Sequence, residues 1–502
     1  MSETWAFLET PEAINALRVK ISESLRVTSE VPQYFVWPYD GAKQEILSKR
    51  SQLIFGRRGS GKTSLLRKLE EEVIRAGGFC AFVDVEELKS LTLPDQIITA
   101  LLKLLEQLLD ARRNLVGVLP ADLREAITAE IEDLSALKEK PDRLHIELRE
   151  TSQLASNSDA SVGGGLTLPF FQARGGVGTQ HSQIGVTTQV QVMESDKLDH
   201  IRRKLSHHTS IIQRIRHVFN DVLFVIFDDL YHISLNTQPF FLDHFHVLFK
   251  QNRIYMKIGS VKTRTLWHWR LRNQTFGLEV PNDADEINLD RPLEHFVLTR
   301  KFLRSILDSL ARECGLDTSR VITDVGFNRL VQGSGGVARD CLSLLRATLQ
   351  TAQLRIANEQ STAHEMKGSL RVTADDIWLA ATEQDQEKRH QLQQDAEQLD
   401  QQYYLLKLAD LVKFCYRNDI NCFLVDRSAS GSLPLDLAAL WDAKFIHIVD
   451  ERLRFETRDF TVYCLDLGVH AHERNKRNIV VDLADSGRGS LFQRRQLIYA
   501  GD

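Results

Sequence analysis

Hydrophobic positions along this chain fall into two kinds of pattern. Val222-Leu223-Phe224-Val225-Ile226-Phe227 and Phe79-Cys80-Ala81-Phe82-Val83 are apolar at every position. Such runs predict strands buried on both faces, as in a parallel sheet covered by helices. Leu53-Ile54-Phe55 and Ile254 to Ile258 predict two more strands, the second ending at Gly259-Ser260. Between them the period lengthens to that of a helix: from Ser64 through Leu69, from Pro94 to Leu109, from Pro120 to Leu137, and from Lys197 to Phe219 with Ile201, Leu205, Ile212, Ile215 and Val218 on one face. Ahead of the first strand the pattern predicts helices over Pro11 to Leu25 and Asp40 to Lys49, separated by the aromatic run Tyr34 to Tyr39. Strand, helix, strand in this order predicts an α/β fold with a parallel sheet.

The pattern breaks at residues 151 to 195, rich in Ser, Gly, Thr and Gln, where Gly163-Gly164-Gly165 and Gly175-Gly176-Val177-Gly178 flank a short apolar stretch. Alternation over Gly185 to Val192 predicts edge strands of a hairpin, so this region reads as an inserted β element or a loop. Glu383 to Asp400 is a charged, Gln-rich helix. After it the pattern predicts a helix over Tyr403 to Tyr416, a strand at Cys422 to Val425, a turn at Ser428 to Ser432, a helix over Leu435 to Trp441, and strands at Phe445 to Val449 and Phe460 to Leu467.

Directly after Leu53-Ile54-Phe55 stands Gly56-Arg57-Arg58-Gly59-Ser60-Gly61-Lys62-Thr63, the full G-x-x-x-x-G-K-T phosphate-loop pattern, opening a helix at Ser64. Glycines let the backbone approach phosphates, N–H groups at a helix N-terminus wrap them, Lys62 faces the β- and γ-phosphates, and the Thr63 hydroxyl is a Mg²⁺ ligand. The ligand this predicts is ATP, cradled by Gly56, Gly59, Ser60, Gly61, Lys62, Thr63 and Ser64. The apolar run 222–227 leads into Asp228 and Asp229, where carboxylates at a strand's C-terminal end project toward a ligand. Asp228 suits Mg²⁺ and Asp229 suits orienting an attacking water. Ser260, closing the neighbouring strand, is a candidate γ-phosphate sensor. Lys262, Arg264, Arg270 and Arg272 follow; Arg264 or Arg270 serves a neighbouring subunit, or they lie on a solvated helix face. The aromatics at 34–39 read either as core anchors or as a platform for adenine.

A net charge of −5 on 502 residues gives no global attraction to nucleic acid. Arg474, Lys476, Arg477, Arg488, Arg494 and Arg495 form local clusters that either touch DNA phosphates or are solvated. His470 and His472, read as strand-spaced, lack a third metal ligand. Six scattered cysteines without a Cys-x-x-Cys pair point to free thiols, and with no apolar stretch of membrane length and no signal-peptide pattern they place the protein in the cytoplasm, away from membranes.

With these elements in this order, the chain resembles the AAA+ ATPases, and among them the origin-recognition (ORC-type) branch that includes bacterial ORC-like ATPases. The resemblance spans residues 31 to 385. It rests on Gly56, Gly61, Lys62 and Thr63, on Asp228 with Asp229 in place of the usual Glu, and on Ser260 as sensor 1. Gly335 to Leu345 resembles the sensor 2 helix, which implies Arg339 on the γ-phosphate, and Val372 to Ala381 resembles the helix closing the lid. The implied architecture is an N-terminal entry segment (1–50), a parallel-sheet P-loop core (51–290) with a β-rich insert (151–195), a helical lid (291–385), a connector (386–400) and a winged-helix-like α/β domain (401–502). Asp229, Lys62, Arg339 and Ser260 are then the catalytic set. The implied activity is that of a nucleotide-dependent switch or assembly ATPase with ATP and Mg²⁺, acting as a homo-oligomer or with a partner protein, in DNA-associated or phage-defence roles. Asp229, one methylene shorter than Glu, keeps open a nucleotide-gated binding module with negligible hydrolysis. A small-molecule kinase has no use for a sensor 2 segment.

Overall fold

The computed structural model describes residues 10–25, 34–110, 119–142, 145–151, 188–219, 222–271, 274–291, 293–362, 369–395, 398–429, 433–472, 480–484 and 492–501. They belong to two compact units, one comprising Lys43–Phe55 and Leu65–Ile287, the other Met1–Ala42, Gly56–Ser64 and Asn288–Asp502. Among the described residues no helix is long and apolar enough to cross a membrane.

The first unit is built on strands β1 (Ser51–Phe55), β2 (Phe79–Asp84), β3 (His145–Thr151), β4 (Thr188–Glu194), β5 (Leu223–Asp228), β6 (Ile254–Ser260), β7 (His268–Leu271), β8 (Gln274–Gly277) and β9 (Ala284–Asn288). Its central sheet runs β2-β5-β6-β1-β9, with β2, β5, β6 and β1 paired in parallel. The expected parallel α/β sheet is therefore present. Every residue of β5 is buried, as its uninterrupted apolar run requires. Phe227 packs on Phe241 and Phe245 of helix Gln238–Lys250, with ring centroids 5.2 and 4.8 Å apart. Each such side chain, fully buried, contributes about 1.5–3 kcal/mol. Helices Leu93–Asp110 and Ala121–Glu139 bury their apolar stripes in the same core.

Several expectations are corrected in this unit. The helix expected over Asp40 to Lys49 is only Ala42–Ile46, since Gly41 at φ +89° stands before it and Arg50 N–H turns back onto Ser48 O. The single helix expected from Lys197 to Phe219 is two, Asp196–Arg203 and Leu205–Val218. They break at Lys204, whose ammonium reaches Asp133 at 2.6 Å and Glu130 at 3.3 Å. The alternating stretch from Gly185 to Val192, expected as an edge strand of a hairpin, enters β4, whose partner is β3, most of it ahead of the expected insert, in antiparallel register from His145↔Glu194 to Thr151↔Thr188. The insert's glycine-rich stretch lies outside the described residues. The described part of the basic run after β6 is not a helix face: Lys262 and Arg264 lie in a short 3-10 turn, Lys262–Arg264, and Arg270 in β7, while Arg272 lies outside the described residues.

The second unit carries helices Pro11–Ser24, Phe296–Glu313, Asp324–Gly333, Ala338–Thr362 and Ala374–Asp395, followed by Gln398–Arg417 and strands β10 (Cys422–Asp426), β11 (Ile446–Phe455) and β12 (Arg458–Leu465). The antiparallel order is β10-β12-β11. The expected helix, strand, helix, paired strands is present. Between β10 and β11 there is one described helix, Leu433–Asp442, where a helix-turn-helix needs two. Helix Ala374–Asp395 runs through most of the expected connector without a break. One core joins Leu307, Phe327, Leu344 and Ile377 of the helices to Leu424, Phe460 and Val462 of the strands. His470 and His472, expected on a strand, lie in helix Leu467–His472, and the buried His470 meets the Tyr416 hydroxyl at 3.1 Å. None of the six cysteines is joined in a disulfide.

Candidate nucleotide site

The phosphate loop leaves the end of β1 and turns into helix Lys62–Arg75, the strand-to-helix passage the motif demands. Gly59 and Gly61 take φ +94° and +97°, a region that disfavours any other residue. Lys62 is buried and donates to Gly56 O at 2.8 Å, while the Ser60 hydroxyl is buried without a hydrogen-bond partner. Thr63 and Ser64 follow in the first turn, half-buried.

Arg339 is the second residue of helix Ala338–Thr362, and its backbone N–H donates to Gly59 O at 3.2 Å. A Cβ on Gly59 would fall 2.8 Å from Arg339 Cβ, so the motif glycine is also what admits this helix end. The structure thus brings the backbone of Arg339 to the phosphate loop. Arg57, which sequence reasoning passed over, is 4% exposed. Its backbone N–H donates to Asp290 Oδ1 at 2.8 Å and its Nη2 to Gly335 O at 2.9 Å. Its partners are more than 230 residues away, and its type at a free position of the motif carries no signal of them.

In the other unit the parallel registers align the strand ends. Asp84 pairs with Asp228, Phe227 with Ile258, and Phe55, the residue before the loop, with Ser260. The carboxyl ends of β1, β5 and β6 therefore share the edge at which open α/β sheets bind ligands. Asp228 is 3% exposed and accepts the Asp229 N–H at 3.0 Å. Its carboxylate lies over Gly259, where any Cβ would overlap it. Asp229 is left-handed, φ 55° and ψ 45°, a conformation that short polar side chains tolerate best. Ser260 is fully buried with its hydroxyl 2.6 Å from that of Thr265, a partner supplied by the turn after β6. Arg264 and Arg270 are exposed.

Residues 26–78 match a family model described as ORC-CDC6-like. That stretch contains β1, the phosphate loop and the helix it opens, and so supports the resemblance on the motif that carries most of it. The match ends before Asp228, Asp229, Ser260 and Arg339. No curated protein matches the chain. Among solved structures the chain is similar to the Aeropyrum pernix ORC1 protein in complex with DNA, at 14% identity over 93% of this chain and 92% of that one, with a TM-score of 0.34.

Proposed function

We propose that the chain binds ATP with Mg²⁺ and acts as an ORC/Cdc6-type AAA+ ATPase, a nucleotide-dependent switch or assembly ATPase. The observation that carries this reading is the complete phosphate loop directly after β1, in a parallel sheet whose β5 and β6 finish at Asp228 and Ser260. Backbone N–H groups and the Lys62 ammonium neutralise the phosphates, with the orphaned Ser60 hydroxyl as a further donor. The donor set fits Mg²⁺, because the Thr63 hydroxyl and the buried Asp228 carboxylate are hard oxygen ligands of the kind it takes. When bound there, the ion would supply charge neutralisation for the phosphates. Asp229 orients the attacking water, Ser260 senses the γ-phosphate through its link to Thr265, and Arg339 stabilises charge on the transferred group.

A second reading, a nucleotide-gated binding module with negligible turnover, is favoured by Asp229 itself. Its carboxylate is one methylene shorter than Glu, and its left-handed backbone explains why Asp stands there. Duplex DNA is the partner class to test first. The β11–β12 hairpin gives it little support, since Arg452 pairs with Asp459 and Arg458 with Asp426.

Phosphate release from ATP by the purified full chain, alone and with duplex DNA, separates the readings when paired with its mass in ADP and in ATP. Turnover that rises with DNA or accompanies ATP-dependent assembly supports the ATPase. ATP binding with no release under any condition supports the gated module instead.

A further inference from the structure

The phosphate-loop motif needs no particular side chain at position 57, yet this chain buries a guanidinium there. A buried cation is costly unless its donors and charge are met, so the partners that Arg57 has gathered are informative. Asp290 takes its backbone N–H and lies 3.4 Å from its Nε. Gly335 O takes its Nη2, and the ring of Trp441 covers the guanidinium at 4.8 Å. Gly335 opens the corner that leads to Arg339, whose N–H is fastened to Gly59 O of the same loop.

The C-terminal element grips that corner from its other side. Trp441, Lys444 and His447 follow one another at intervals of three, from the end of helix Leu433–Asp442 into β11. Trp441 covers Arg57; Lys444 holds Asp340, the residue after Arg339, at 2.7 Å; and the His447 ring fills the place where Gly335 would carry a Cβ. His447 is itself fixed by Asp466 at 2.7 Å, and Asp466 by Lys388 at 2.9 Å, all buried or nearly so. A change in the loop backbone around a phosphate therefore has a continuous packed and hydrogen-bonded route to β11.

We propose that Arg57 and Trp441 are positioning residues that couple nucleotide occupancy of the phosphate loop to the order of the C-terminal element around β10–β12. The inference rests on the nucleotide-site reading and adds to it the element that reads the site. Arg57 suits the task because its planar fork serves Gly335 O while its face stacks on an indole, a pairing that Lys does not reproduce. Coupling of this kind is reciprocal: whatever ATP does to the order of β11–β12, that contact does to ATP affinity by the same factor.

The test is hydrogen exchange over residues 433–465 of the full chain, with and without Mg²⁺ and ATP, alongside ATP affinity by calorimetry. In the wild type, ATP is expected to slow exchange in β11 and β12. Trp441→Leu and Arg57→Lys, which attack the contact from opposite sides, are each expected to abolish that response and weaken ATP binding by about 5–50-fold, within the usual range of such couplings. A merely structural Trp441 would lower the melting temperature in both nucleotide states and leave the ATP-induced protection in place. ATP binding with no change in exchange over 433–465, or a folded Trp441→Leu variant with wild-type affinity and response, overturns the coupling and leaves the nucleotide site standing. No ATP binding by the wild type removes the nucleotide site and the coupling together.

Discussion

Gly335 shows how much single positions carry in this chain. It sits at φ +56° with the His447 ring where a side chain would begin, so Gly335→Ala meets both a backbone penalty of about 1–2 kcal/mol and an overlap worth roughly 1–3 more. Gly315, at φ +72° with nothing within 4 Å, has only the first. Urea unfolding should therefore show Gly335→Ala clearly less stable than Gly315→Ala; equal losses would mean that the His447 contact is slack. Lys257, fully buried on β6, donates to Ser48 O at 2.9 Å and to Gln52 Oε1 at 2.6 Å, and burial pushes its pKa down to about 7. Between about pH 7 and the ordinary lysine value of 10.5 the unfolded chain holds the proton more tightly than the folded one. This group's contribution to stability thus rises with pH across that window and is constant below it. Lys257→Met should flatten the rise, read as the difference in unfolding free energy between the two proteins at pH 7 and pH 10. The motif residues were legible one by one because the phosphate loop fixes type and spacing together. Arg57, Asp290 and Trp441 were not, because what joins them is a fold that brings distant parts of the chain into contact.

Elements were legible where one physical demand governed the pattern. β5 is apolar throughout because both its faces are covered, and β1, β2 and β6 were visible for the same reason. β3 was missed: His145-Ile146-Glu147-Leu148-Arg149-Glu150-Thr151 holds only two apolar residues, and its pairing with β4 is what makes it a strand. The break at Lys204 was hidden because apolar spacing continues across it, while the kink is fixed by acids on another helix. The end of β5 yields a prediction of its own. Asn tolerates the left-handed backbone at least as well as Asp, so Asp229→Asn changes charge without reshaping the turn. It should bind ATP normally and hydrolyse it about 10²-fold or more slowly, whereas Asp228→Asn should weaken Mg²⁺-dependent binding. Identical phenotypes in steady-state turnover and in equilibrium binding would show that the two acids do not have separate roles.

At the scale of the whole molecule, the phosphate loop belongs to the unit that also holds the helical and C-terminal elements, while Asp228, Asp229 and Ser260 belong to the other. Sequence order alone drew a boundary near residue 290 and kept the loop with the sheet; it is the hydrogen bonds of Gly59 and Arg57 that tie it elsewhere. Arg264 and Arg270 are exposed; if either serves a neighbouring copy, specific activity should rise with protein concentration, and turnover by a species that light scattering shows to be monomeric would refute the shared site. The β3–β4 ladder marks where an insert deletion must stop. Replacing residues 152–187 with a short Gly/Ser turn should keep ATP affinity and impair assembly or partner binding, and loss of ATP affinity would make the segment part of the nucleotide domain. The central claim, that Gly56 to Ser64 is a working ATP site, is tested most directly by calorimetric titration of Mg²⁺ and ATP into the wild type and Lys62→Ala, with melting curves for both. The account predicts saturable binding by the wild type and its loss in a Lys62→Ala variant that still melts cooperatively; equal affinity in two folded proteins would contradict it.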